Sequence, residues 1–394
     1  MLAHKAAHIS VWGLVAALFF IHISPAMASL SLGVAVLGWC LGSVRGHWDY
    51  VGLAVGFGLL LIDAGAFQPA QGRAHLLLHL PVYALMFRTL SSGFAMEWKS
   101  RFVQWWWAWS LPPVWFALAS MGEYWQHREF YSQMVLESKP MPLFSQVYHI
   151  EFSVLLALML LLLLQVWLNE KGGQKWAMAS VWGLGFLCLH GLSARTGMLL
   201  FWVGVVPIFW PSRKQLGLRS QSIAVLVLLL LLMWFRAPLQ NRLSNTWSDL
   251  QAIAGMSDVN GQSLGQRTEA WKAAWRAVRQ RPALGWGSGA TTEAMNWAYE
   301  RGTRLERLNW IGPHNQWLEM AIQGGFIALL LVLIQGFRWM MASPHSGWML
   351  GLALAACFES LAERQAGVLA WVLALMWLLI DANQEKPGEN LGIE

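Results

Sequence analysis

Side chains that could do chemistry are confined to four short segments of an otherwise apolar chain. These segments carry guanidiniums, an imidazole, amides and carboxylates. The residues concerned are Arg195; Gln266 and Arg267; His314, Asn315 and Glu319; and Glu363 and Arg364. An imidazole can accept a proton near neutral pH, and a guanidinium is well suited to bind a phosphate. These residue types predict a site in which an anion lies beside a proton acceptor.

The two arginines that precede the histidine are both in costly positions. Arg195 lies in a tight turn between two predicted membrane spans, where a charge without a partner is unfavourable. Arg267 lies in the first turn of a predicted helix, where a cation opposes the helix dipole. An external anion would explain both positions. Alternatively, Arg195 extends to lipid phosphates and Arg267 is an ordinary solvated arginine.

The other polar segments also have simpler interpretations. His314 follows a Gly-Pro pair, so it is expected in the first turn of a membrane span, where it could act as a helix cap or as a base. Asn315 and Glu319 are four residues apart and share a helix face, so that one could orient the other. Glu363 and Arg364 could pair with each other or line a cavity.

The composition decides which elements must position these residues. The chain has 394 residues, of which 56% are hydrophobic and 12% are charged, and its mean hydropathy is +0.43. Water-soluble domains usually have about 25% charged residues. The sequence therefore predicts an all-α, polytopic membrane protein and excludes a soluble globular enzyme.

Apolar runs near the ~20 residues needed to cross a bilayer predict twelve spans. They are 9–24, 26–44, 50–67, 73–90, 102–121, 149–168, 176–192, 194–211, 221–235, 314–337, 346–361 and 366–382. The predicted organisation is therefore helices 1–5 in 1–121, a loop at 122–148, helices 6–9 in 149–235, a large loop at 236–313, helices 10–12 in 314–382, and a tail at 383–394.

The distribution of basic residues gives the orientation. With both termini in the cytoplasm, the inner segments hold twelve Lys and Arg residues and the short outer segments hold five. This asymmetry follows the positive-inside rule, from which the long loop is left out. Both predicted loops and all four polar segments then face outward. Whether the first span is cleaved as a signal peptide stays open.

The large loop is predicted to contain a helix. Residues 263–266 form a capping-box pattern, and the helix that they begin ends near Pro282. Its apolar residues share one face and are expected to lie along the outer membrane boundary: Leu264, Trp271, Trp275 and Val278. Residues 285–289, with the sequence GWGSG, predict a flexible turn after the helix.

No pattern in the sequence indicates a metal or a cofactor. There is no Asp-x-Asp pair, and the three cysteines all fall inside predicted spans. The glycine-rich turn does not follow a β-strand, as a nucleotide-binding loop would. We therefore expect no metal, no cofactor and no nucleic-acid partner.

An ordered set of motifs resembles the bacterial O-antigen ligase family, which shares a signature domain with O-antigen polymerases and protein O-oligosaccharyltransferases. The motifs are SART at 193–196, QRTEAW at 266–271, RPALGWG at 281–287, PHNQWLE at 313–319 and GGF at 324–326. Together they cover roughly residues 180–340.

The resemblance implies a GT-C-like membrane glycosyltransferase of the bacterial inner membrane, with its active site facing the periplasm. Its donor would be a glycan linked to undecaprenyl diphosphate. The arginines that match Arg195 and Arg267 bind the diphosphate in this family, and the histidine that matches His314 is essential. Five further residues would support these three: Gln266, Asn315, Glu319, Glu363 and Arg364. We expect the enzyme to contact membrane lipids and to work without a metal.

The acceptor could be lipid A-core, another lipid-linked repeat, or a protein such as pilin. The short region after residue 338 favours the ligase, since the protein-modifying members often carry a further domain. A transporter of lipid-linked sugars would also need arginines on the outer face. A transporter would not need a proton acceptor beside the arginines, and it should have polar residues deep within several spans. The polar residues Asp63, Glu151 and His190 lie near span ends, which disfavours a transporter.

Overall fold

The regular secondary structure in the part that the computed structural model describes is all helical. The described residues are 2–42, 92–136, 143–192, 194–212, 263–342 and 346–382, with isolated positions at 79, 82, 247, 250–251, 254–255 and 258–260. The α-helices in these residues are α1 (Leu2–Phe20), α2 (Pro25–Gly42), α3 (Ser92–Gln104), α4 (Trp106–Gln126), α5 (Arg128–Leu136), α6 (His149–Asn169), α7 (Lys175–Gly191), α8 (Arg195–Ser212), α9 (Ser263–Gln280), α10 (Thr291–Tyr299), α11 (Gln316–Ala342), α12 (Met349–Ala355) and α13 (Gln365–Ala382).

Four of these helices are long and apolar enough to cross a membrane. They are Ala3–Phe20, Pro25–Gly42, His149–Asn169 and Gln316–Met341, and shorter apolar helices occur at Arg195–Phe209 and Gln365–Leu378. The chain is therefore an all-helical membrane protein in its described part, as predicted. The count of twelve spans stays a prediction. Spans 50–67 and 221–235 lie outside the described residues, as does 73–90 apart from positions 79 and 82.

The predicted span 346–361 is not a continuous helix. A 3-10 turn at Ser346–Trp348 precedes α12, which has only seven residues. The chain then turns, because the carbonyl groups that would continue the helix have other partners. Gln316 N–H donates to Ala356 O at 2.8 Å, and the Asn315 side chain donates to Cys357 O at 2.9 Å. The prediction of one span here is wrong because these tertiary bonds are invisible in an apolar run.

Helix α6 forms the centre of the bundle. Every residue from Glu151 to Val166 is buried. A helix that is apolar on all sides is buried by other helices, which matches this position. Helix α8 packs along α6 through small residues, since a side chain at Gly197 would overlap Ser153 and one at Gly204 would meet Leu161.

These contacts fix which helix ends lie together. Residues 197 and 204 of α8 pack at residues 153 and 161 of α6, so the two helices run parallel. Gly351 of α12 packs against the Leu200 carbonyl, and Gly347 packs against Pro207, so α12 runs antiparallel to α8. Helices α6, α8 and α11 therefore begin, and α12 ends, at one end of the bundle. We call this the site end.

Helices α9 and α10 form a small unit beside the start of α11. Alanines dominate the buried face of α9, and they pack against Ala294, Met295 and Ala298 of α10 and against Ala321 and Ile322 of α11. The apolar face predicted for α9 is therefore partly wrong. Val278 is buried in this cluster, whereas Trp275 is 42% exposed. Short alanine side chains, which a hydropathy pattern undervalues, make the contact.

A break in α11 locks this unit to the membrane helix. Gly325 has φ 67° and ψ −170°, so the helical hydrogen bonds stop there. The segment 282–287 takes up the released groups: Phe326 N–H donates to Pro282 O at 2.8 Å, Trp286 N–H to Ile322 O at 2.7 Å, and Gly287 N–H to Gln323 O at 2.9 Å. The sequence predicts a flexible turn at 285–289, but its first part is pinned to α11 by these bonds.

Candidate active site

A buried carboxylate, Glu359, lies at the centre of the polar residues at the site end. Its side chain accepts hydrogen bonds on both oxygens, one from Arg267 Nη2 and one from His314 Nδ1 at 3.1 Å. Arg267 also donates from Nη1 to the Phe358 carbonyl at 2.7 Å. Residues 267, 314 and 359 are thus held in one hydrogen-bonded chain.

The sequence suggested that His314 lies in the first turn of helix α11, but His314 precedes that helix. The helix begins at Gln316, and His314 has a φ of 45°, an uncommon conformation for a residue other than glycine. Asn315 caps the helix, because its Oδ1 accepts the Leu318 N–H at 3.0 Å. The imidazole therefore stands clear of the helix, with its side chain 36% exposed.

The expectation that Asn315 orients Glu319 through a shared helix face is wrong. The Asn315 side chain is used by the cap and by the Cys357 carbonyl. Glu319 instead accepts from Ser360 Oγ at 3.0 Å and from Gln323 Nε2 at 3.3 Å. The Asn315 carbonyl accepts the Glu319 N–H at 2.9 Å, but its side chain caps the helix and does not reach the Glu319 carboxylate.

Gln323 joins three elements around the buried carboxylate of Glu319. Its Nε2 lies 3.1 Å from Thr291 Oγ1 in α10 and 3.3 Å from Glu363 Oε2, in addition to its bond to Glu319. This network fixes α10, α11 and the turn before α13 relative to one another. Among the described residues, it supports the site without bonding to His314.

Arg364 pairs with a residue of α6 and not with its neighbour Glu363. Its Nη1 lies 3.4 Å from Glu151 Oε1, and its guanidinium stacks over the Tyr148 ring at 4.8 Å. Burial, followed by the nearby charge of Glu359, raises the pKa of the Tyr148 hydroxyl, while Arg364 acts to lower it. The start of α6 therefore belongs to the same electrostatic neighbourhood as Glu359.

Arg267 is the fifth residue of α9, just beyond the first turn in which it was predicted, and a protein carboxylate provides the expected anion. The pairing with Glu359 explains how a cation is tolerated at the positive end of the helix dipole. Gln266 does not reach back to Ser263 in a capping box; its amide donates to the Asn260 carbonyl. Gln266 therefore holds the entry to α9 and does not contact His314.

Arg195 is the first residue of α8, at the site end. Its side chain is exposed. Within the described part of the chain, its guanidinium makes no ion pair or hydrogen bond. The structure thus places Arg195 at the same end of the bundle as the His314–Glu359 pair, with its charge available to a ligand.

An apolar groove of about 470 Å³ begins beside the site and runs along α11. Gln316, Gln323 and Glu363 line its polar end, and Val332, Phe337 and Met340 are among the residues that line its apolar part. The groove therefore joins the polar site end to a depth at which lipid chains lie. In the described residues, no group of three His, Cys, Asp or Glu side chains could hold a metal ion.

Residues 178–333 match the family model described as O-antigen ligase. Over this region the chain is similar to O-antigen ligases. The predicted resemblance over roughly 180–340 is confirmed by this match. No curated protein matches the chain at a significant level.

The region that is similar to O-antigen ligases does not contain all of the site. Glu359 lies beyond the matched region, as do Tyr148 and Glu151 of α6. Sequence reasoning gave none of the three a role in the site, although Glu359 begins the polar segment that contains Glu363 and Arg364. Glu151 is a carboxylate in the first turn of an apolar helix, and Glu359 is a carboxylate at the end of an apolar run.

Proposed function

We propose that this protein is a membrane glycosyltransferase that moves a glycan from undecaprenyl diphosphate to an acceptor hydroxyl. The similarity to O-antigen ligases indicates a family of glycosyltransferase-like enzymes that use a lipid-linked glycan donor and an acceptor. We further propose that the acceptor is lipid A-core and that the site faces the periplasm, as the distribution of basic residues favours.

The observation that carries this proposal is the His314–Glu359 pair. Glu359 is acceptor-only when ionised, so the proton on the imidazole is held at Nδ1. Nε2 then has a free lone pair. A neutral imidazole with a fixed tautomer is suited to take a proton from a hydroxyl group.

The two guanidiniums support a diphosphate leaving group. Arg195 has its full set of donors available, and Arg267 uses Nη1 and Nη2 on the Phe358 carbonyl and Glu359 while keeping further N–H groups. Charge-assisted hydrogen bonds from arginine to phosphate are among the stronger polar contacts in proteins. They would stabilise the negative charge that develops on the leaving diphosphate without a metal.

The groove along α11 supports a lipid-linked donor. A polyprenyl chain is apolar and needs a surface at membrane depth, whereas its diphosphate must stay at the polar end. The groove has this polarity, with amide and carboxylate side chains at one end and aliphatic and aromatic side chains along the rest.

The proposed reaction is a single displacement at the anomeric carbon. His314 Nε2 takes the proton of the acceptor hydroxyl, and the acceptor oxygen forms the new bond to the anomeric carbon. The bond from that carbon to the diphosphate oxygen breaks, and undecaprenyl diphosphate leaves with the electron pair, facing Arg195 and Arg267.

The direct test is transfer by purified protein in liposomes with a lipid-linked glycan donor and lipid A-core. We expect His314→Ala to lose about 10²–10⁴-fold in rate and Arg195→Ala about 10²–10³-fold. Arg301→Gln, an exposed arginine of the α9–α10 unit, is the matched control. Near wild-type transfer by Arg195→Ala would remove the diphosphate role of that residue.

The acceptor is tested by deleting the gene in the source bacterium. Loss of capped lipopolysaccharide with accumulation of lipid-linked polymer supports the ligase. Single-repeat chains would indicate a polymerase, and a mass change confined to pilin would indicate the protein-modifying enzyme.

A further inference from the structure

The outer face of α11 changes abruptly at the kink. Residues 316–325 are all buried or half-buried, because residues 353–362 cover one side and α9, α10 and the 282–287 segment cover the other. Large apolar side chains are exposed from residue 326 onward: Phe326, Ile327, Leu330, Leu333, Ile334 and Phe337 are 42–60% exposed. In a membrane helix, such a face lies against lipid chains. The lipid-facing part of α11 therefore begins at Phe326.

The α9–α10 unit carries exposed apolar side chains at this same level. Trp275, at the exposed side of α9, lies 6.1 Å from the Phe326 ring and is 42% exposed. Leu284 is 63% exposed. It follows Ala283, whose carbonyl accepts the Ile327 N–H at 3.4 Å, so the backbone fixes its height along α11.

Two arginines lie beside these side chains. The Arg279 guanidinium stacks over the Trp275 ring at 5.5 Å. Arg281 stacks over Trp286 at 4.5 Å, and the next residue bonds to Phe326 through its backbone. Both arginines are exposed and have no carboxylate partner in the described residues. Tryptophan and arginine side by side are typical of the headgroup level of a bilayer.

We propose that Trp275, Leu284 and Phe326, with Arg279 and Arg281, form an interfacial edge that binds the phospholipid surface. The three apolar side chains insert at the boundary between headgroups and chains, and the two guanidiniums bind headgroup phosphates. The edge is continuous with the lipid-facing surface of α11 and has the charge that an anionic lipid surface requires. The unit that supplies Arg267 is thereby held at a fixed height above the bilayer.

The position of the edge can be measured with a nitroxide label on the full chain. Leu284→Cys is labelled in a background in which the three native cysteines are replaced by alanine, in vesicles of phosphatidylethanolamine and phosphatidylglycerol. We expect the label to be more accessible to oxygen than to a water-soluble nickel complex. Asn296→Cys, exposed on α10 of the same unit, is the control and should show the reverse.

Two results would overturn the proposal. A label at 284 that is as accessible to the nickel complex as the label at 296 would place the edge in water. A label at 284 that neither reagent reaches would place it in a protein interface, as with a second copy of the chain.

The phosphate contacts are tested by phosphatidylglycerol retained on the purified protein in native mass spectrometry. We expect Arg279→Gln with Arg281→Gln to weaken retention by about fivefold for each charge removed. The control pair, Arg301→Gln with Arg307→Gln, removes two arginines that also stack on tryptophans, at 4.0 and 5.6 Å. Equal losses in the two pairs would show a general charge effect and would overturn the assignment.

Discussion

Replacing Glu359 by glutamine tests the arrangement around His314. The carboxylate accepts from Arg267 and from His314 Nδ1 at the same time. A glutamine has one acceptor oxygen, and Arg267 can only donate, so the oxygen is expected to face Arg267. The amide N–H groups then face Nδ1. His314 must then accept a hydrogen bond at Nδ1, so its own proton moves to Nε2. A protonated Nε2 cannot act as the base.

The size of the effect has a lower and an upper bound. General-base help contributes about 10²–10⁴-fold in rate, so the lower bound of the expected loss is about 10²-fold. If the wrong tautomer removes general-base help altogether, the loss reaches about 10⁴-fold. We expect the transfer rate of Glu359→Gln to fall between these bounds.

The assay is the initial rate of glycan transfer in liposomes, with thermal unfolding measured on the same preparations. Glu359→Asp should recover part of the rate, because it keeps both acceptor oxygens. Glu300→Gln, an exposed carboxylate at the end of α10, is the control and should transfer at the wild-type rate. If Glu359→Gln transfers normally while His314→Ala is inactive, His314 does not depend on Glu359 and the reasoning is refuted.

Two further predictions concern the stability of the α9–α10 unit. Gly325→Ala should lower the free energy of unfolding by about 3 kcal/mol or more, because a φ of 67° is strained for alanine and the added Cβ would overlap Ala283. The control is Gly336→Ala, where a Cβ would meet nothing within 4 Å. In thermal unfolding this control should be neutral or slightly stabilising. Equal effects of the two substitutions would contradict the role of the kink. Burial acts to raise the pKa of Glu269, but hydrogen bonds, the strongest from Lys272, outweigh burial and hold this pKa below its ordinary value of 4.5. Its stabilising contribution is therefore present above pH 4.5 and is lost as the pH falls through the lowered value, so the difference in melting temperature between wild type and Glu269→Gln should shrink in acid; a constant difference would argue against it.

Composition and motif order were sufficient to predict much of this protein. A shortage of charge over so long a chain is tolerated only in a bilayer, which decides the class of protein without any tertiary information. The helix from Ser263 to Gln280 was predicted within a residue or two, since helical spacing and a terminating proline act locally, although the predicted capping box does not form. The motifs around Arg267 and His314 were recognisable because they are short and contiguous.

Pairings between distant residues were beyond the reach of the sequence. Glu363 and Arg364 are adjacent, and the sequence offered them as partners, yet Arg364 turns to Glu151 on another helix. The end of α12 was placed several residues too late, because the carbonyls of the two residues that follow it accept hydrogen bonds from Asn315 and Gln316. In both cases the deciding contact joins residues far apart in the chain.

The sequence by itself determined that this protein lies in a bilayer, most of the helices that the structure describes, and the residue types available for chemistry. All three follow from local properties, namely hydropathy, capping and side-chain pKa class. Only the tertiary structure decided that Glu359 would stand between Arg267 and His314, and that Arg195 would lie at the same end of the bundle. Helix packing brings these residues together across more than a hundred positions, and a local pattern carries no information on which distant carboxylate a cation will meet.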